Sequence, residues 1–75
     1  MYTTTTEQDK RRENNFTYHA PKDGQQDRYV MLRDQAKALA FAMECNCPQS
    51  RELSVALTKL EEAVFWANAA IARNE

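Results

Sequence analysis

The sequence predicts an all-α fold, an antiparallel two-helix hairpin with a flexible N-terminal arm. Three observations carry this. One Gly and two Pro in 75 residues leave little room for a sheet joined by tight turns. The two long apolar patterns, in the middle and the last third of the chain, both advance in steps of three and four, the spacing of one helix face. Between them lies a short polar connector, Glu44 to Gln49, and so short a join makes the two helices antiparallel neighbours. A chain of this length makes at most one small domain.

Met1 to Asn15 reads MYTTTTEQDKRRENN, polar and without periodic apolar residues. A disordered or loosely ordered arm over 1–15 is the expectation, with Lys10, Arg11 and Arg12 as a solvated basic run. Phe16 to Lys22, FTYHAPK, brings Phe16, Tyr18 and His19 close together before Pro21, and the residue preceding a proline is pushed toward extended geometry. Such an extended aromatic segment has two readings. It is a strap over apolar helix surface, with Tyr18 packing and its hydroxyl at the edge, or it offers Tyr18 and His19 as stacking surfaces for a base, with Lys22 near a phosphate.

Asp23-Gly24 signals a turn, and a helix follows over about 25–43. Tyr29, Leu32, Ala36, Leu39 and Met43 form its stripe, widened by Val30, Ala40 and Phe41. In the connector, Asn46 is a residue that tolerates left-handed backbone. The second helix is expected over about 50–74. Leu53, Leu57, Leu60, Val64, Ala67 and Ile71 make its stripe. Ser50 suits the N-cap, Glu52 the first turn and Arg73 the last; Pro48 blocks helix upstream. From Ala63 to Ala72 there is no charge, and Phe65 and Trp66 point away from the stripe. A helix apolar around its circumference has to be covered on more than one side. Two helices bury one seam, so Phe41, Phe65, Trp66 and Ile71 favour association into a closed homo-oligomer, each large side chain contributing about 1.5–3 kcal/mol when buried. The competing reading is a monomer whose arm folds over that surface.

The function classes this composition disfavours are clear. A formal net charge of −1 is not that of a basic-tail nucleic-acid binder, and no basic recognition helix for DNA is present. No apolar run reaches the roughly 18 residues of a membrane span, and the polar start is unlike a signal peptide, so the expected location is the cytosol. Cys45 and Cys47 with one His make neither a disulfide framework nor a zinc site, and no metal or cofactor is expected. No nucleophile and base are paired, the adjacent Glu61 and Glu62 diverge on a helix, and Gly24 is no phosphate loop; an enzyme is not expected. What remains suits anion binding. Arg51 sits in the first turn of the last helix, where free N–H groups attract negative charge. Arg33 and Lys37 lie one turn apart. Thr58, Asn68 and Arg73 interrupt an apolar helix, and the Asn68 carboxamide needs a partner, either an interhelical hydrogen bond that fixes register or a ligand.

The segment SRELSVALTKLEEAVFWANAAIARNE, preceded by FTYHAPKDGQ and a helix containing LRDQAKALA, resembles the small phage proteins with the anti-CBASS/anti-Thoeris hairpin domain. The resemblance covers about Phe16 to Glu75 and is strongest over ALTKLEEAVFWANAAIARN. It implies a sponge in the host cell cytoplasm that forms homo-oligomers, commonly hexamers, and sequesters cyclic di- and trinucleotides or cyclic ADP-ribose variants without hydrolysing them. It also implies pockets between protomers, with aromatic stacking on a base and Arg or Lys on phosphate. Tyr18-His19-Ala20-Pro21-Lys22 resembles the stacking region; Arg51 and Thr58 fall in the matched helix as candidates to face a phosphate, and Arg73 lies in its terminal turn. The N-terminal arm departs from the better-known members. The residues alone leave a second reading, a helical interaction module that docks on a host protein through Phe65 and Trp66.

Overall fold

A computed structural model describes residues 1–75 as three α-helices, α1 (Thr6–Phe16), α2 (Gln25–Asn46) and α3 (Arg51–Asn74), with no strand. α2 and α3 form the antiparallel hairpin, packed against each other along their length. Ser50 is the α3 N-cap, in extended backbone with its hydroxyl accepting from the Leu53 amide at 3.1 Å. Glu52 and Arg73 occupy the first and last turns, each with the sign the helix dipole favours. All six residues of the expected α3 stripe are half-buried. On α2, Tyr29, Leu32, Ala36 and Met43 turn inward as expected. Leu39 is 48% exposed and Ala40 takes its place at the seam, because over several turns a 3.6-residue period drifts away from a strict heptad.

Two expectations about local structure are corrected. Residues 6–16, expected to lie in a disordered or loosely ordered arm over 1–15, form a helix. Thr5 accepts from the Gln8 amide at 3.1 Å while the Gln8 side chain accepts from the Thr5 amide at 3.0 Å, a reciprocal capping box. Arg12 pairs with Asp9 one turn back at 2.7 Å. α1 buries no side chain, so local bonds rather than a core define it. The second correction concerns the connector. α2 continues to Asn46, whose Nδ2 donates to the Ala42 carbonyl at 2.7 Å; Asn46 is not left-handed, and Gly24, with φ of 81°, is the one residue that is. The chain leaves the helix at Cys47, whose amide still bonds the Met43 carbonyl at 2.9 Å. Cys45 and Cys47 are exposed thiols.

The hairpin is a sheet of helices one layer thick. The molecule measures 50 × 38 × 13 Å, and its least dimension is that of one α-helix with side chains, about 10–12 Å. It has no buried hydrophobic residue, and its one buried residue is Gln25. A compact protein of this mass exposes about 4,700 Å²; this chain exposes 6483 Å². Part of the excess is the N-terminal residues and α1, and the rest is the two broad faces of the hairpin. α1 touches the end of α3 and leaves Phe41, Phe65 and Trp66 open.

Candidate functional site

Three surfaces bear polar groups beside apolar ones. The first is the end of the hairpin where α2 starts and α3 stops. The last carbonyls of a helix lack internal partners, and the N-terminal segment supplies them. Asn14 Nδ2 donates to the Arg73 carbonyl at 3.1 Å, and Lys22 Nζ donates to the Glu75 main-chain oxygen. His19 Nε2 lies 2.7 Å from the Asn14 carbonyl; since a carbonyl accepts, that nitrogen carries the proton. Gly24 turns the chain into α2. Lacking a capping side chain there, the turn is closed by the Gln25 side chain, whose Oε1 accepts from the Lys22 amide at 2.9 Å. Gln25 Nε2 then donates to Glu75 Oε1 at 3.2 Å. Arg28 grips the Glu75 carboxylate with both terminal nitrogens, Nη1 to Oε2 at 2.8 Å and Nη2 to Oε1. The Arg28 hydrogen bonds, followed by that of Gln25, hold the Glu75 carboxyl down to about 2 against partial desolvation, with the Arg28 and Lys22 charges assisting; the same partner raises the Arg28 guanidinium.

The segment between α1 and α2 is therefore tied by His19 and Lys22, not by Tyr18. Of the two readings of this segment, the strap with a packed Tyr18 is not the one the chain adopts: Tyr18 is 84% exposed. Phe16, at the end of α1, is equally open. On α3, the Arg73 guanidinium carbon sits 5.9 Å from the Trp66 ring centroid, a cation–π distance.

The second surface is a groove of about 480 Å³ along one face of the hairpin. Leu57, Leu60 and Val64 of α3 and Ala36 and Ala40 of α2 form its floor, and Phe65 one wall. Arg33 and Lys37, one turn apart, stand on the other wall with Glu44 and Glu61 nearby. Neither cation is ion-paired: the salt bridges are Arg12–Asp9, Arg28–Glu75 and Lys59–Glu62. Asn68 follows Val64 by four residues and Phe65 by three, which places it on the same side of α3. Its Oδ1 is buried and receives no hydrogen bond. The third surface, on the opposite face, is shallower, about 370 Å³, and lined by Leu32, Leu39, Ala63 and Ala67 among others. No group of acidic, cysteine and histidine side chains there or elsewhere is arranged to hold a metal.

The candidate residues thus fall into separate places. Phe16, Tyr18, His19, Lys22 and Arg73 gather at the open end of the hairpin, and Arg33, Lys37 and Asn68 lie along one face. Arg51 and Thr58 are exposed, toward the connector end. Arg51 and Arg73 are separated by 22 residues of one helix, about 33 Å at 1.5 Å per residue. Within one chain Arg51 and Tyr18 do not share a pocket. Sequence reasoning missed Asn14, Gln25 and Arg28, which fasten the open end. A T-x-x-Q box at Thr5–Gln8 signalled the helix that carries Asn14; nothing local signals the long-range pairing of Arg28 with Glu75.

No helix is long and apolar enough to cross a membrane. No curated protein and no solved structure matches the chain. The family model described as Acb2/Tad1, hairpin domain, matches residues 8–72, which takes in nearly all of α1, all of α2 and nearly all of α3. A hairpin with one open end dressed in aromatic and basic groups, matched over most of its length, belongs to the Acb2/Tad1 hairpin-domain family, the anti-CBASS/anti-Thoeris sponges.

Proposed function

We propose that the chain is a phage anti-defence sponge: it binds cyclic nucleotide immune messengers, cyclic di- or trinucleotides or cyclic ADP-ribose variants, and holds them without hydrolysis in cavities between copies of itself. Family membership over residues 8–72 is the observation that carries this reading. The geometry supports it. A layer one helix thick without an apolar core leaves two faces for neighbours, and a standard interface covers about 800 Å² on each partner. Copies of the chain, six on the family resemblance, are the economical cover. Symmetry also brings together what one chain keeps apart, Arg51 of one copy and Tyr18 of another. An enclosed phosphate on Arg forms a charge-assisted bond roughly twice as strong as a neutral one, and exposed Tyr18 is a flat surface on which a base can stack. The Asn68 carboxamide, whose Oδ1 is closed off without a donor within one chain, meets a neighbouring copy or the ligand only by rotating outward. Arg33 and Lys37 beside Phe65, and Lys22, His19 and Arg73 at the open end, are the cationic and polar groups available to phosphates; Phe16 adds a second ring, and Thr58 a hydroxyl.

Calorimetry against a panel of cyclic di- and trinucleotides and cyclic ADP-ribose isomers tests the proposal. The expected result is saturable binding of at least one member, recovered chemically intact when the protein is heated. Silence across the panel from folded protein refutes it. A second reading then takes over, favoured by the exposure of Phe65 and Trp66: a helical module that docks on a host protein, recovered by pull-down from infected host cells.

A further inference from the structure

The open end of the hairpin holds an anion of its own. Four contacts from three residues converge on Glu75: Arg28 Nη1 and Nη2 and Gln25 Nε2 on the carboxylate, and Lys22 Nζ on the adjacent main-chain oxygen. Gln25 is 3% exposed, the one buried residue of the chain. Its amide cannot turn round without loss, because Oε1 is committed to the Lys22 amide at 2.9 Å; Nε2 is thereby fixed as a donor aimed at the carboxylate. Arg28 is a planar fork that matches a phosphate edge as well as a carboxylate edge. A guanidinium, an ammonium and an oriented amide donor constitute an anion site.

We propose that Lys22, Gln25 and Arg28 form a phosphate-binding site that the Glu75 side chain occupies as an intramolecular competitor, released when a phosphate group takes its place. The inference depends on the sponge reading only for the source of the phosphate. The carboxylate carries one negative charge and shares its oxygens between Arg28 and Gln25; a phosphodiester offers the same two-oxygen fork, and a terminal or free phosphate adds a further acceptor oxygen for Lys22. Release of the Glu75 side chain undoes its tie to Gln25 and Arg28 of α2, while Asn14 still holds the Arg73 carbonyl; anion binding and loss of that one tie are one event.

A competitor that fills the site about nine-tenths of the time weakens apparent affinity about tenfold, which sets the scale of the test. Inorganic phosphate is titrated into the full chain and into Glu75→Gln at constant ionic strength, with sulfate-free chloride as the control, and followed by NMR at the Arg28 guanidinium and Gln25 amide. The expected result is that E75Q binds phosphate about tenfold more tightly than the wild type and that Arg28→Met added to E75Q abolishes the gain. Equal affinity in the two proteins, or shifts centred elsewhere, overturns the proposal. A second measurement needs no variant. In the wild type, the Glu75 carboxyl carbon moves toward its free position in step with the Arg28 signals as phosphate saturates; a Glu75 signal that stays fixed while Arg28 responds also overturns it. These readouts are independent of the cyclic nucleotide panel. Failure of the panel with a positive phosphate result removes the sponge and keeps the site; the converse removes the competitor and keeps the sponge.

Discussion

Phe65→Ala measures whether the open faces are covered by other copies. In one chain the Phe65 ring is 67% exposed, so its own neighbours cover about a third of it. Complete burial of such a ring contributes about 1.5–3 kcal/mol, and truncation in an isolated chain therefore costs about 0.5–1 kcal/mol. If a second copy lies on that face, the ring is interior, and removing it leaves a hole among packed side chains. Phe-to-Ala changes in such settings cost about 3–5 kcal/mol. The two expectations differ by more than the error of urea unfolding followed by circular dichroism, run at one fixed protein concentration because assembly and folding are linked. Lys59→Ala serves as the control. Its side chain is 70% exposed, and a surface change of that kind stays within about 0.5 kcal/mol. The account expects Phe65→Ala to lose several kcal/mol per protomer and to sediment as a smaller particle. A loss under about 1 kcal/mol with unchanged sedimentation refutes the reasoning, since it describes a ring that nothing else touches.

Three further outcomes follow from particular residues. Gly24 has φ of 81° with nothing within 4 Å of an added Cβ, so Gly24→Ala meets no steric clash and costs about 1–2 kcal/mol from backbone alone, while Gly24→Asn costs less; thermal melts that rank the two the other way count against the turn as described. The Glu75 carboxyl titrates near 2, below its ordinary 4.5, because Arg28 bonds the charged form. With the folded value depressed, the ion pair's stabilisation is complete above about pH 4.5 and disappears as the pH falls toward 2, so the melting-temperature gap between wild type and E75Q narrows on acidification; a gap that widens contradicts the assignment. Tyr18→Ala and Arg51→Ala each weaken messenger binding at least about tenfold, about 1.4 kcal/mol, and leave the particle mass unchanged, as titration calorimetry with the bound panel member checks; normal binding in both variants removes them from the site.

The hairpin was legible because its causes are local. Ser50, Pro48 and an unbroken three-and-four pattern from Leu53 to Ile71 fix α3 regardless of what lies beside it, and Phe65 and Trp66 stand outside the stripe by geometry alone. α1 was not legible from hydrophobic period because it has none: a capping box and an Asp9–Arg12 pair hold it, and an apolar pattern search passes over such helices. Asn46 illustrates the limit of reading residue types as turn signals, since its side chain found a carbonyl one turn back and stayed helical. The family resemblance was carried by α3 and by the aromatic segment before α2, and the match over residues 8–72 agrees with it. The convergence of Lys22, Gln25 and Arg28 on Glu75 spans about fifty positions, and no local pattern announces a contact of that separation. Nor does sequence spacing reveal that Arg51 and Tyr18 sit at opposite ends of the hairpin; that follows once the antiparallel arrangement and helix length are combined.

The most direct measurement is the mass of the particle in solution. Sedimentation equilibrium at micromolar concentration, repeated after dilution, should give a whole multiple of 8.7 kDa, six on the family resemblance, because a single layer of helices with no buried apolar residue is completed by its neighbours. A lone 8.7 kDa species, folded and binding its messenger, would contradict the account, for one copy then suffices where several are proposed.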